Sequence, residues 1–296
     1  MQKFFLDMDD TKNYYREDTT YFSRVLKHPQ FVLNQNFLLH PFASLNTSRK
    51  IIKSHFPLFD CVSKLTGDTN EQLKQNFDDI SKNSDLENHL QKKFKDYNNY
   101  ISESNLQFTK LAKENPAGRL NRPSQGHAGF FLYMIVRSIK PEYFVETGVS
   151  AGESSTYILQ AMHDNNFGKL ISIDMPSVFV PKGLTTITPE GETSGWAVPE
   201  HLKDRWELNL GKSEELLPDI LKKLKKIDIF FHDSMHTYQH MMFEYTKSWD
   251  YIKNNGLLLS DDIVVMNGKG HSPFVDFANS KQKEIVVYNV LGGIKK

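Results

Sequence analysis

The sequence contains a single cysteine, Cys61, among its 296 residues. One cysteine cannot form a disulfide within the chain, and no cluster of cysteines and histidines has the spacing of a zinc site. A lone cysteine between Asp60 and Val62 is more often a small buried hydrophobic residue than a nucleophile. We therefore expect neither a disulfide framework nor a zinc site, and a reducing compartment, the cytoplasm, is the expected location.

Long apolar segments are also lacking. The longest uninterrupted apolar run extends from Phe130 to Val136, which is far too short to cross a bilayer. Near the start of the sequence, the apolar residues Phe4 to Leu6 are followed at once by Asp7, so we do not expect a secretory signal. The sequence thus predicts a protein without a membrane span.

Neither sign of charge is in excess, because 36 Lys and Arg residues balance 36 Asp and Glu residues. A broad nucleic-acid surface or a polybasic membrane patch would require a surplus of positive charge. Apolar residues make up 39% of the chain, which is enough for a proper core, and the length exceeds that of a usual single domain. The composition predicts two structural units, or one decorated domain, without a nucleic-acid partner.

The chain changes character near residue 120. Residues 1–115 are polar, contain one glycine, and carry an S-x-x-E capping-box pattern at Ser84 and Glu87. After this pattern, apolar residues recur at alternating spacings of four and three, as on one face of a helix: Leu86, Leu90, Phe94, Tyr97 and Ile101. A shorter helix before it is indicated by Leu73, Phe77 and Ile80. We interpret residues 1–115 as a mostly helical extension.

A break rich in Pro and Gly at residues 115–123 separates this extension from an alternation of strands and helices over residues 120–296. The predicted strands are 143–145, 170–173, 206–210, 227–231 and 256–260, and the predicted helices are 152–162, 213–224 and about 237–253. Such an alternation favours right-handed crossovers and a parallel, doubly wound α/β sheet. Residues 284–289 and the last residues after Gly292-Gly293 are predicted to close this sheet as an edge hairpin.

A glycine turn follows the first predicted strand, with Gly148 and Gly152 four residues apart. The dinucleotide-phosphate fingerprint places its first two glycines two residues apart, so this turn does not match it. Glu146 lies two residues before Gly148, where an acid repels a pyrophosphate but suits a ligand that carries an ammonium and a sulfonium. The alternative is a tight turn that requires glycine for packing alone.

Asp174 ends the second predicted strand, 26 residues after Gly148. In doubly wound folds, an acid at about this distance binds the ribose hydroxyls of a nucleotide. By itself, Asp174 is more typical of a cap at the end of a strand. Together with the glycine turn, it favours nucleoside binding.

Acidic residues also follow the fourth and fifth predicted strands. Asp233 comes directly after one, and the adjacent Asp261 and Asp262 follow the other. Their oxygens form a possible site for a hard cation such as Mg²⁺, although a helix cap and a solvated acid would explain the pair equally simply. His236, three residues after Asp233, is either a general base or a histidine without chemistry at the start of a helix.

Residues from about 137 to 262 resemble the class I S-adenosylmethionine-dependent methyltransferases, and within them the sugar, macrolide and related small-molecule O-methyltransferases. The resemblance is carried by residues 145–152, 231–238 and 256–262. It implies a seven-stranded, Rossmann-like sheet whose last strand runs antiparallel. It also implies a set of cofactor-binding residues: Glu146 with Gly148 and Gly152 of the glycine turn for the methionine part, Asp174 for the ribose, Ser213 near the adenine, and in addition Ser154 and Asp233.

In metal-dependent members of this branch, acids matching Asp233, Asp261 and Asp262 bind Mg²⁺, and in some of these members a histidine matching His236 is the base. The resemblance therefore implies methyl transfer from S-adenosylmethionine to a hydroxyl of a small molecule or sugar, assisted by Mg²⁺. The alternatives are a metal-independent methyltransferase of the same fold and a non-catalytic scaffold that binds S-adenosylmethionine. The methyl acceptor stays open, because such enzymes select it through caps and insertions such as residues 175–199. A homo-oligomer is compatible with the sequence.

Overall fold

A computed structural model describes residues 41–103, 127–175, 188, 191–265, 267 and 269–296 of the chain. Seven strands form one sheet with the spatial order β3-β2-β1-β4-β5-β7-β6. The strands are β1 Tyr143–Thr147, β2 Lys169–Asp174, β3 Trp206–Leu210, β4 Ile227–His232, β5 Ile252–Ser260, β6 Val286–Tyr288 and β7 Leu291–Lys295. The predicted doubly wound, mostly parallel seven-stranded sheet is confirmed.

The helices cover both faces of this sheet. Before the first strand they are α1 Pro41–Lys53, α2 Leu58–Thr66, α3 Asn70–Ser81, α4 Ser84–Glu103 and α5 His127–Ile139. Among and after the strands they are α6 Glu153–Asp164, α7 Ser213–Leu224, α8 Tyr238–Trp249 and α9 Pro273–Ser280, with a 3₁₀ helix at Glu200–Arg205. No helix in the described part of the chain combines the length and the apolar character needed to cross a membrane.

The direction in which the chain adds strands reverses between β1 and β4. β1 pairs in parallel with β2 on one side and with β4 on the other, whereas β7 runs antiparallel to β5 and β6. Thr147 at the end of β1 pairs with His232 at the end of β4. Open α/β sheets bind ligands at such a switch point, beyond the carboxyl ends of the strands. A ligand site is therefore expected at the segments that follow β1 and β4.

The two faces of the sheet have separate cores because side chains alternate along each strand. In β4, Ile229 and Phe231 pack with the cluster that contains α2 to α6, while Phe230 packs with α7, α8 and α9. The neighbouring Leu258 in β5 joins the second cluster. Both faces are thus buried, as expected for the parallel part of a sheet.

One predicted helix is too long. The helix predicted over about 237–253 ends at Trp249, and Ile252 already pairs with Ile227 as the first residue of β5. Asn255 has a φ of +65°, and the register of the two strands shifts between Ile227 and Ile229. Strand pairing around this irregularity overrides the helical pattern of the preceding residues.

The capping-box prediction at Ser84 is wrong by one residue. Ser84 is the first residue of α4, and the side chain of Asn83 accepts the backbone N–H of Leu86 at 3.0 Å. Asn is as good an N-cap as Ser, so the preceding residue takes the role. The predicted stripe is confirmed for Leu86, Leu90 and Phe94, which are buried. A capping box that the sequence analysis missed joins Thr69 and Gln72 at the start of α3.

The segment between α1 and α2 runs along the edge strand β6. Phe56 N–H donates to Val287 O at 3.0 Å, and Val287 N–H donates to Ser54 O at 2.8 Å. Cys61 in α2 is fully buried, as expected. These contacts cover a strand edge that would otherwise expose unpaired backbone groups.

The predicted boundary between a helical extension at 1–115 and a domain at 120–296 falls outside the described residues, as does the break at 115–123. The division therefore stays a prediction.

Candidate functional site

The glycine turn after β1 touches the loop after β4. Gly148 has a φ of +85°, and a Cβ atom built on it would lie 1.9 Å from the carbonyl oxygen of Asp233. Asp233 N–H donates to Thr147 O at 2.8 Å, and Asp261 N–H donates to His232 O at 2.8 Å. These backbone hydrogen bonds continue the strand pairing by one step. They place Asp233 and Asp261 side by side at the carboxyl edge of the sheet.

His236 completes a cluster with these acids. Donor atoms of Asp233, His236 and Asp261 all lie within 4.8 Å of one another. His236 Nε2 is 3.8 Å from Asp233 Oδ1, and Nδ1 is 3.7 Å from Asp262 Oδ2. The side chains of Asp233 and His236 are only 32% and 26% exposed. The structure therefore brings together all four residues that the sequence analysis predicted for the base and the cation, with Asp262 on the outer side of the ring. We call these four residues the acid–histidine cluster.

The charges in this cluster are poorly compensated by the protein. Desolvation and the charge of Asp261 raise the pKa of Asp233 well above its usual value. Desolvation and the charge of Asp262 raise the pKa of Asp261 to about 7. Burial lowers the pKa of His236, and its Nε2 atom is buried without a hydrogen-bond partner in the structure as described. Carboxyl groups in this state favour the arrival of a cation.

Glu146 is fully buried in β1, and its carboxylate is surrounded by hydroxyls. Oε1 accepts a hydrogen bond from Ser154 at 2.7 Å, and Oε2 accepts from Ser155 and Ser172 at 2.6 and 2.8 Å. Burial raises the pKa of Glu146 to about 7 despite these hydrogen bonds. The predicted residue Ser154 thus lies beside Glu146. The carboxylate links the glycine turn to α6 and β2.

Gly152, the second glycine of the turn, has a φ of +91° and is the N-cap residue of α6. A Cβ atom on it would lie 2.6 Å from Val198 Cγ2. The segment around Val198 is itself bonded to the turn, because Gly195 N–H donates to Ser150 O at 2.7 Å and Ala197 N–H donates to Ala151 O at 2.9 Å. Packing therefore requires a glycine at position 152, as it does at position 148. The insertion at residues 175–199 thus forms backbone hydrogen bonds with the glycine turn.

Asp174 lies at the carboxyl end of β2, close to the turn. Its Oδ1 accepts the backbone N–H of Val149 at 3.0 Å, and its Oδ2 accepts a short hydrogen bond from Ser194. A carboxylate has about four lone-pair sites, so each oxygen retains acceptor capacity. The position next to the turn is the one that the sequence predicted for a ribose-binding acid.

Ser213 begins α7 and is buried. Its Oγ lies 3.2 Å from Nε2 of His240, and the opposite ring atom, Nδ1, lies 3.0 Å from Glu214 Oε1. The structure thus places Ser213 in a network with α8, and the same histidine ring contacts Glu244.

Three exposed apolar residues near the carboxyl ends of strands were not noted in the sequence analysis. Met175, Leu210 and Met235 follow or end β2, β3 and β4, and they are 62%, 49% and 53% exposed. Single exposed apolar side chains are common on protein surfaces, so these three residues do not by themselves define a ligand-binding surface. The sequence signal was an apolar residue at or just beyond the end of three separate strands.

Residues 145–263 match a family model whose description is "Methyltransferase domain". A comparison with curated proteins finds no match. One similar solved structure is the O-methyltransferase TomG from Streptomyces achromogenes, in complex with SAM, with 14% identity over 70% of this chain and 98% of that chain and a TM-score of 0.44. A methyltransferase from Geobacter sulfurreducens is 18% identical over 68% of this chain and 96% of that chain, with a TM-score of 0.43. The SAH-bound Podospora anserina methyltransferase PaMTH1 is 15% identical over 60% and 84%, with a TM-score of 0.41.

The matched segment begins in β1 and ends just beyond Asp262. It therefore contains the glycine turn, Asp174 and the whole acid–histidine cluster. The seven-stranded sheet with an antiparallel last strand is the architecture that the resemblance implied. Residues 145–263 of this chain are thus similar to a methyltransferase domain.

Proposed function

We propose that this domain transfers the methyl group of S-adenosylmethionine to a hydroxyl oxygen of a small molecule or sugar, with a divalent cation such as Mg²⁺ at the acid–histidine cluster. The observation that carries the proposal is the position of His236. Its ring nitrogens lie 3.8 Å from Asp233 and 3.7 Å from Asp262, at the sheet edge next to the glycine turn. A hydroxyl is a poor nucleophile near neutral pH, and this cluster offers the means to activate it.

We propose Asp233, Asp261 and Asp262 as the residues that hold the cation. The fit rests on charge and geometry, since the first two carboxyl groups have raised pKa values and lie with His236 inside one 4.8 Å group. The charge of Asp262 contributes to both raised pKa values. Carboxylate oxygens are the ligands that Mg²⁺ prefers. A bound divalent cation supplies Lewis acidity, which lowers the pKa of a hydroxyl.

We propose His236 as the general base. Because burial lowers its pKa, the ring is neutral near pH 7 and one nitrogen is free to accept a proton. The carboxylate of Asp262, 3.7 Å from Nδ1, stabilises the ring once it has taken up that proton.

For the cofactor, we propose the glycine turn with Ser154 at the methionine part, Asp174 at the ribose and Ser213 near the adenine. When bound, S-adenosylmethionine supplies a methyl group on a positively charged sulfur. Glu146 acts through its charge and through the turn that it anchors, because its own oxygens already accept three serine hydroxyls. Holding donor and acceptor in line supplies much of the rate.

A metal-independent methyltransferase of the same fold is the second candidate. Asp233 and Asp261 share a side-chain hydrogen bond, with opposite effects on their two pKa values. A shared proton would relieve their repulsion without a cation. In that case, the acids are structural and His236 alone activates the hydroxyl. The two candidates differ in their response to a chelator.

The test combines calorimetry with methyl transfer. We expect the full chain to bind S-adenosylmethionine with measurable heat, and to transfer labelled methyl to one member of a panel of sugars, polyols and phenols when Mg²⁺ is present. Activity that survives excess chelator would favour the metal-independent candidate. A chain that shows neither heat nor a thermal shift with excess cofactor would overturn both candidates.

A further inference from the structure

Glu244 lies on α8 and is fully buried behind the acid–histidine cluster. A buried carboxylate is costly unless hydrogen bonds replace the water it has lost. The groups that compensate Glu244 come from three different parts of the domain, namely β1, the end of β4 with its following loop, and α8 itself.

Four donors reach this carboxylate. Oε2 accepts from Thr147 Oγ1 at 2.6 Å and from His232 Nδ1 at 2.5 Å. Oε1 accepts from Ser234 Oγ and from His240 Nε2, both at 2.9 Å. Burial alone would raise the pKa of Glu244, but the hydrogen bonds from His232 and His240 hold it well below its usual value. The carboxylate is therefore ionised, and both oxygens are fully engaged.

The donors flank the residues of the site. His232 and Ser234 are the neighbours of Asp233 on either side, and Thr147 directly precedes Gly148. The His232 ring, itself fully buried, also meets the His236 ring edge to face at a centroid distance of 5.3 Å. One carboxylate thus fixes the backbone on both sides of Asp233 and the start of the glycine turn.

We propose that Glu244 is a positioning residue that holds the loop 232–236 against the glycine turn, so that Asp233 and His236 face Asp261. The proposal rests on the proposed function for its effect on turnover, but not for its effect on the loop. A displacement of about 1 Å at a reacting group can lower a rate on the order of 100-fold. Loss of this anchor should therefore reduce turnover strongly although Glu244 touches neither substrate nor cation.

The test variant is Glu244→Gln, which keeps the size of the side chain. Glutamine accepts hydrogen bonds only at its single oxygen, and its NH₂ group faces two of the present donors. The matched control is Ser248→Ala, one turn further along α8. Ser248 is also fully buried, but its hydroxyl bonds only to backbone carbonyls of α8, including that of Glu244 at 2.7 Å.

Hydrogen exchange, measured by mass spectrometry on the full chain, tests whether Glu244→Gln loosens the loop 232–236. We expect Glu244→Gln to speed exchange at least roughly tenfold in peptides covering 232–238 and 147–152, with exchange in β2 and β7 unchanged. Ser248→Ala should leave all of these rates as they are. A uniform increase across the sheet, or no increase in the loop, would overturn the positioning role.

Ligand readouts then connect the loop to the site. Glu244→Gln should lower kcat at least tenfold and weaken Mn²⁺ binding, followed by electron paramagnetic resonance, with a smaller change in KM. Glu244→Asp, which keeps the charge, should recover part of both losses. Unchanged Mn²⁺ affinity and kcat in a variant with a loosened loop would overturn the link to catalysis. A wild-type chain that binds neither Mn²⁺ nor S-adenosylmethionine would instead overturn the proposed function, while the exchange data still decide the role of Glu244.

Discussion

The carbonyl oxygen of Asp233 occupies the space next to Gly148, 1.9 Å from where a Cβ atom would be. The close approach joins the two loops that meet at the switch point of the sheet. It also means that Gly148 is needed for packing as well as for its φ of +85°. A ligand that binds at the turn therefore lies over two loops whose backbone atoms are already in close contact.

Gly148→Ala should destabilise the protein and displace Asp233. A left-handed backbone costs a non-glycine residue about 1–2 kcal/mol, and the contact with a backbone atom adds to this cost. Gly67→Ala is the matched control, because Gly67 has a φ of +90° with nothing within 4 Å of the added Cβ. In urea denaturation, we expect the control to lose about 1 kcal/mol and Gly148→Ala to lose clearly more. Equal losses would show that the contact with Asp233 costs nothing.

The sequence predicted some elements to the residue, and the reasons are local. Strand 206–210 and helix 213–224 match the structure at both ends, because Gly211 separates two patterns of different period. The helix at 127–139 was not predicted, since its run from Phe131 to Val136 is buried on every side and shows no amphipathic face. Pattern alone does not distinguish such a run from a strand.

The site could be predicted in part for a topological reason. Carboxyl ends of adjacent parallel strands meet at one edge, so Asp233 and Asp261 had to be neighbours once the strands were assigned. The partners of Glu146 were not foreseeable, because Ser172 comes from the next strand along the sheet and its distance depends on the register. Glu244 was missed for a similar reason: its contact with Thr147 depends on how α8 lies on the sheet.

His236→Ala should lower turnover at least roughly tenfold, the lower end of what a general base contributes. Binding of S-adenosylmethionine should stay nearly unchanged in calorimetry, because the ring lies against the acids rather than at Asp174. His201→Ala, which removes an exposed histidine, is the control for loss of an imidazole. If turnover of the His236 variant equals that of the wild type, the base role is wrong.

Asp261→Asn should change cation binding and stability in opposite directions. The pKa of Asp261 is raised to about 7 by desolvation and by Asp262, so its ionised form destabilises the cation-free fold at higher pH. Removing the charge should therefore raise the melting temperature of the chelator-treated protein while weakening Mn²⁺ binding and metal-dependent activity. Asp219→Asn, at an exposed position of α7, should change neither. Chelator-resistant wild-type activity, or a variant with normal Mn²⁺ affinity, would remove Asp261 from the cation site.

Glu146→Gln tests how the buried carboxyl group affects stability. The pKa of Glu146 is raised from 4.5 to about 7, chiefly by burial, so the folded state holds this proton more tightly than the unfolded state does. The stability that this bound proton contributes is complete below the unfolded pKa and is lost as the pH rises through 7. The free energy of unfolding should therefore fall by about 2–3 kcal/mol between about pH 5 and about pH 8. In urea denaturation without cofactor, the wild type should therefore lose this much stability relative to Glu146→Gln over that pH interval. The control is Glu200→Gln, at an exposed side chain paired with Lys203, and its difference in stability from the wild type should stay nearly constant. A pH-independent difference between wild type and Glu146→Gln would mean that the three serine hydroxyls keep the carboxylate ionised throughout, and that the negative charge beside the glycine turn is present before any cationic ligand arrives.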